Sequence, residues 1–107
     1  MKIYTSEQID NLEGFQMINE MSEADAVIIM PGGLSSLKDM FDAIIKNIPT
    51  YLFNDDHYYD QVISQLYNIN QKGVEKRAPF EYMQIESEFQ NIIDDLNKKN
   101  ETINKSM

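Results

Sequence analysis

Apolar positions along the chain alternate between short unbroken runs and stripes of helical spacing. Ala24-Asp25-Ala26-Val27-Ile28-Ile29-Met30 is the most apolar stretch and stops at Pro31-Gly32-Gly33. A short β-branched run closed by Pro-Gly reads as a strand buried on both faces, as in a parallel sheet. Beyond the glycines, Leu34, Leu37, Met40, Phe41, Ile44 and Ile45 recur every three or four residues, the stripe of a helix packed on one side. Thr50-Tyr51-Leu52-Phe53 reads as a second strand, set between Pro49 and the polar cluster Asn54-Asp55-Asp56-His57. Tyr59, Val62, Ile63, Leu66 and Ile69 draw another helical stripe, closed near Gly73 as glycines commonly close helices. Strand, helix, strand, helix in that order implies right-handed βαβ units and a parallel sheet.

Both ends extend the pattern. Lys2 to Thr5 suits a short strand, and Leu12, Phe15, Ile18 and Met21 predict a helix before the buried strand. Phe80 to Glu86 alternates like a half-exposed strand, and Ser87-Glu88-Phe89-Gln90 has the form of a capping box. Phe89, Ile92, Ile93 and Leu96 give that last helix its apolar face. Gly73 to Pro79, with Lys72 before it and Lys76 and Arg77 within it, reads as a surface loop. The expectation is an α/β fold: one domain over residues 1–98, a three-layer sandwich whose parallel sheet has about four strands. A polar, flexible tail over 99–107 follows.

The length of 107 residues suits one domain with one ordinary core. Acids outnumber bases 18 to 9, a net charge of −9. That excludes a general nucleic-acid or anionic-membrane binder, both of which need clustered positive charge. The cysteine count of zero removes disulfides, thiolate metal sites and thiol nucleophiles. No apolar run approaches the roughly 18 residues of a membrane span, and Met1-Lys2-Ile3-Tyr4-Thr5 lacks a signal-peptide core, so a cytoplasmic location is expected.

Candidate chemistry concentrates at Val27 to Ile45. Pro31-Gly32-Gly33 falls at the C-terminal end of a buried strand, where a parallel α/β sheet opens its ligand crevice. The following helix presents unpaired N–H groups and the positive end of its dipole, and Ser35 and Ser36 add hydroxyls. No acidic residue lies between Asp25 and Lys38, so an anion would be tolerated there. A plain tight turn with a helix cap is the other reading of the same residues.

The stretch Ala24 to Asp39, with Pro31-Gly32-Gly33-Leu34-Ser35-Ser36-Leu37-Lys38-Asp39 at its heart, resembles the PGGxGTxxE segment of the LOG-type family. These are cytokinin riboside 5′-monophosphate phosphoribohydrolases, long labelled lysine decarboxylase-like. Pro49 to Asn54 followed by Tyr58-Tyr59-Asp60 is similar to the family's next strand, its Asn and its Tyr-Tyr-Asp helix start. The similarity covers most of residues 15–98 and implies a Rossmann-like sheet, a homodimer, and cleavage of the N-glycosidic bond of nucleoside monophosphates. It places Gly32, Gly33, Leu34, Ser35 and Ser36 at the phosphate loop, adds Asn54 and Tyr58 as nucleotide contacts, and puts Asp39 at the catalytic carboxylate. That carboxylate would stabilise an oxocarbenium-like ribosyl transition state. No cofactor and no metal is called for.

The chain also departs from the family pattern. Ser35 replaces the third motif glycine, Ser36 replaces threonine, and Asp39 replaces glutamate, shortening the arm by roughly 1.5 Å. A misplacement of about 1 Å costs on the order of a hundredfold in rate. The family's Arg-Lys pair falls on Gln16 and Met17, and Arg77 is the only arginine. The motif begins at residue 31, so the chain is expected to resemble the C-terminal half of the fold, with a bare sheet edge or helix face for a second copy to cover.

Among the remaining residues, His57 reads as a solvated loop residue or an acid–base group at the crevice mouth. A metal site from Asp55, Asp56 and His57 is disfavoured, because adjacent residues rarely converge on one ion. Tyr59 fits the core stripe, which leaves Tyr58 for ligand contact. No lysine is placed to form a Schiff base. Three functions remain open: a nucleotide- or phosphate-ligand-binding protein with lost or weak hydrolase activity; an active phosphoribohydrolase using Asp39 with a cation, Lys38 or Arg77, from a dimer partner; and an interaction module that binds no nucleotide.

Overall fold

The structure is a computed structural model that describes residues 1–10, 12–75 and 80–105. Its sheet is parallel throughout, with β1 (Lys2–Thr5), β2 (Gln16–Met17), β3 (Ala26–Ile29), β4 (Thr50–Phe53) and β5 (Met83–Glu86) in the order β2-β1-β3-β4-β5. Period-two alternation splits β3 between two cores. Val27 and Ile29 meet Leu52 with Met40 and Ala43 of α1 (Leu34–Ile45) and Leu66 of α2 (Asp60–Gln71). Ala26 and Ile28 meet Ile3, Tyr51 and the Ile92 and Leu96 of α3 (Phe89–Lys105). All four β3 residues are buried, as a strand covered on both faces requires. Helices α1 and α2 form one layer, the sheet the second and α3 the third, a small Rossmann-like sandwich. Among the described residues no helix is long and apolar enough to cross a membrane.

Local chemistry sets the boundaries. Helix α1 ends with Asn47 at φ 56°, where the Ile48 N–H donates to Ala43 O at 3.1 Å and the Asn47 N–H to Ile44 O at 3.1 Å, a Schellman closure on asparagine. Helix α2 likewise ends on a left-handed residue, Gly73 at φ 71°, whose N–H donates to Asn70 O at 3.1 Å. The edge strand β5 is half exposed and starts at Met83, but Ile85, which alternation would turn inward with Met83, is exposed. Helix α3 starts at Phe89, one residue later than a Ser87 cap implies.

The sheet has five strands against about four expected, Gln16 and Met17 pairing with Lys2 and Ile3 at its edge. One expectation is corrected. The helix expected over Leu12–Met21 is replaced by that short strand and a 3₁₀ turn at Met21–Glu23. Gly14 at φ 88° interrupts helical geometry, and the Gln16 and Ile18 N–H groups donate to Met1 O at 3.0 Å and Ile3 O at 2.9 Å. Leu12 and Phe15 pack on the α3 side of the sheet and Met21 on the α1 side, a division one straight helix cannot make. Helix α3 itself runs through Lys105. Lys99 Nζ donates to Tyr51 Oη at 2.7 Å and lies 3.2 Å from Asp95, whose carboxylate also accepts from the Tyr51 hydroxyl. Asn100 donates to Gly14 O at 3.3 Å. Burial, and then Asp95, push the Tyr51 hydroxyl far above its ordinary pKa. The surface loop expected over Gly73–Pro79 lies partly outside the described residues, Lys76 and Arg77 included.

Removing residues 99–107 is expected to lower unfolding stability by about 1 kcal/mol through the lost Lys99 contacts. Urea titration measures this, and an unchanged midpoint would mean that the end of α3 adds nothing.

Candidate functional site

Strand order reverses direction between β1 and β3, and in open α/β sheets the crevice outside the strand carboxyl ends at such a point is where ligands bind. Two segments meet there: Ser6-Glu7 leaving β1, and Met30 to Ser36 leaving β3 and entering α1. Ser6 stitches them together. Its N–H donates to Ile28 O at 3.0 Å, and its Oγ accepts from the Met30 N–H at 2.8 Å. Glu7 is thereby carried over the turn, and the buried Ser36 Oγ donates to Glu7 Oε1 at 3.2 Å. A Cβ on Gly32 would overlap both Ser36 Oγ and Glu7 Oε1, whereas one on Gly33 would meet nothing within 4 Å. Glycine at 32 therefore permits the close approach of Glu7 and Ser36.

Gly33 stands at the N-cap of α1 without a side-chain cap, its carbonyl accepting from the Leu37 N–H at 3.2 Å. Leu34 and Ser35 are exposed, and the first turn holds no acid of its own. The carboxylate nearest this turn comes from Glu7, two residues past the end of β1.

Asp39 lies one turn further along α1, half-buried, and its Oδ2 accepts from the Tyr4 hydroxyl of β1 at 2.9 Å. Burial first, and then Asp39, push Tyr4 up from its ordinary 10.0 to about 12, so it stays a donor. Lys38 pairs with Asp42 at 2.8 Å along the helix surface, and the Asp42 hydrogen bond raises its pKa. Every lysine whose side chain is described is exposed, so none has the burial that makes a Schiff-base amine.

From the β4 side, Tyr58 reaches the turn: its hydroxyl donates to Gly32 O. Buried Tyr59 donates to Met30 O at 2.6 Å. Asn54 does not reach it, because its amide is engaged at the start of α2, donating to Asp60 Oδ1 at 2.7 Å and accepting from the Tyr59 N–H at 2.6 Å. His57 is exposed, with Nδ1 3.0 Å from Asp60 Oδ2, on backbone at positive φ like Asp56. Gln16 pairs with Lys2 at the opposite end of β1 from the crevice, and Arg77 lies outside the described residues. Among the described residues no group of three or more His, Asp or Glu could hold a metal. A cavity of about 500 Å³ opens beside Glu7, lined by segments 4–9 and 17–19.

Sequence reasoning missed Glu7 and Tyr4. The available signal was positional: Tyr4 lies on β1, which pairs with β3, and Glu7 lies two residues past its end, and nothing in their spacing marks them.

The order β2-β1-β3-β4-β5, with a Gly-Gly turn opening a helix at the reversal, defines a Rossmann-like α/β protein with its crevice between β1 and β3. The family model described as "Possible lysine decarboxylase" matches residues 5–96, and the chain belongs to that family, the one its motifs resemble. A search of curated proteins returned no match.

Gly32→Ala is expected to lose about 1–3 kcal/mol of stability by overpacking Ser36 and Glu7, and Gly33→Ala under about 0.5 kcal/mol. Equal thermal shifts for the two would contradict the packing at Gly32. Tyr4→Phe is expected to cost about 1 kcal/mol at neutral pH. Tyr4's raised value means the folded state holds its proton more tightly, so this contribution is complete below about pH 10 and lost as pH rises to about 12. Denaturation of both proteins at pH 8 and pH 11.5 checks the sign: the gap should narrow at the higher pH.

Proposed function

We propose that the protein binds a phosphate-bearing small molecule, a nucleotide or related ligand, at the Gly32–Ser36 turn and has little or no hydrolase activity. The observation that carries the reading is the position of this turn, at the strand reversal and at the start of α1, which has no side-chain cap, so that the amides of a helix start favour an anion. Family membership supports the same location. The loss of chemistry is argued from Asp39. Its carboxylate is shorter than the family's glutamate and is hydrogen-bonded to Tyr4, and Gln16 and Met17 hold no guanidinium where the family has one. Without that cation the departing base loses electrostatic support for the negative charge that builds on it.

Incubation with nucleoside 5′-monophosphates is expected to release no free base above a protein-free control, while AMP or ribose 5-phosphate raises the melting temperature. Base release abolished by Asp39→Ala would reverse the enzymatic part and make the protein an active phosphoribohydrolase. The contact of Glu7 with Ser36 favours a second reading, an interaction module that binds no nucleotide. Absence of a thermal shift with AMP, ribose 5-phosphate and phosphate alike would select it.

The assembly proposed is a homodimer. Helix α1 turns Leu34 (85% exposed), Phe41 (42%) and Ile45 (58%) outward in one stripe, flanked by the Lys38–Asp42 pair. A two-fold antiparallel copy of α1 buries the stripe and sets opposite charges across from one another. Light scattering is expected to give twice the 12.5 kDa chain mass, with Phe41→Asp returning to it; a 12.5 kDa wild type contradicts the dimer.

A further inference from the structure

We propose that Glu7 is a built-in latch on the anion seat, an internal carboxylate that a phosphate-bearing ligand must displace. The inference rests on the reading of the Gly32–Ser36 turn as that seat, and adds how its occupancy is regulated. Three observations converge on it. Glu7 Oε1 accepts from Ser36 Oγ at 3.2 Å, so a negatively charged oxygen lies against the first turn of α1. Gly32 has no room for a Cβ because Glu7 and Ser36 lie where it would be. Ser6 immediately before Glu7 is bonded twice to β3, through Ile28 O and the Met30 N–H, which fixes the approach of the carboxylate.

A carboxylate and a phosphoryl group make the same demands: oxygen acceptors, negative charge and nearby N–H or O–H donors. The positive end of α1 serves either one, and two anions at van der Waals distance repel. Glu7 is exposed and its contact with Ser36 is long, while its anchor lies one residue back at Ser6. Rotation of one side chain therefore clears the seat without unpairing β1 from β3. The apparent affinity of a phosphoryl ligand is the intrinsic affinity reduced by the fraction of molecules with Glu7 turned away. A seat closed nine-tenths of the time binds on the order of tenfold more weakly than an open one.

Inorganic phosphate and AMP are titrated calorimetrically into wild type, Glu7→Gln and Glu7→Ala, each first shown to be folded by its thermal melt. Both variants are expected to bind both probes more tightly, Glu7→Ala by about tenfold or more, with Glu7→Gln between it and wild type because it removes the charge but keeps an oxygen on Ser36. Equal dissociation constants for all three proteins would overturn the latch and leave the seat standing. Binding by none of the three would overturn both, because removal of the competing carboxylate would then have exposed nothing that takes a phosphoryl group.

Discussion

Parallel pairing of Ile3, Tyr4 and Thr5 with Ala26, Val27 and Ile28 sets the carboxyl ends of β1 and β3 side by side, and both segments of the candidate site depend on it. The chain can leave β1 only toward the turn that opens α1. Ser6 closes the gap with two hydrogen bonds to β3, and the side chains on either side of it take up their positions as a result. Tyr4 points to the α1 face and meets Asp39, while Glu7 rises to the crevice and meets Ser36. Two carboxylates, each joined to a hydroxyl from the other segment, thus bridge β1 to the β3–α1 unit.

Those bridges engage side chains at two of the positions that resemble the family motif. A buried hydroxyl such as Ser36 costs about 1–3 kcal/mol if left without a partner, and Glu7 accepts from it. Asp39, in turn, accepts from the Tyr4 hydroxyl through one carboxylate oxygen. The groups that resemble phosphate and transition-state contacts have become members of internal pairs. The proposal of binding without turnover rests on this pairing, because a catalytic carboxylate must be free to follow charge as it develops.

Much of the sheet and both helices after it were legible because their residues obey one period each. Val27 to Ile29 is apolar at every position and is covered on both faces, and Met40 and Leu66 fall on core-facing positions, whereas Leu34, Phe41 and Ile45 of the expected α1 stripe are exposed. The Leu12–Met21 segment was misread because its apolar residues serve opposite faces of the sheet around Gly14, a division that mimics helical spacing. The end of α3 looked expendable for want of apolar residues. It is held instead by Lys99 on Tyr51 and Asp95, polar contacts that hydrophobic patterning does not register. At the site, the Gly32–Ser36 turn was readable from local order alone. Glu7 was not, since its distance of 29 residues from Ser36 is spanned by strand pairing and not by any motif.

The most direct test is a crystal structure of the protein soaked with AMP. The account predicts phosphate density against the amides and hydroxyls of Gly33 to Ser36, with the Glu7 carboxylate turned away from Ser36. Glu7 still on Ser36, with the nucleotide missing or bound at some other surface, would contradict it.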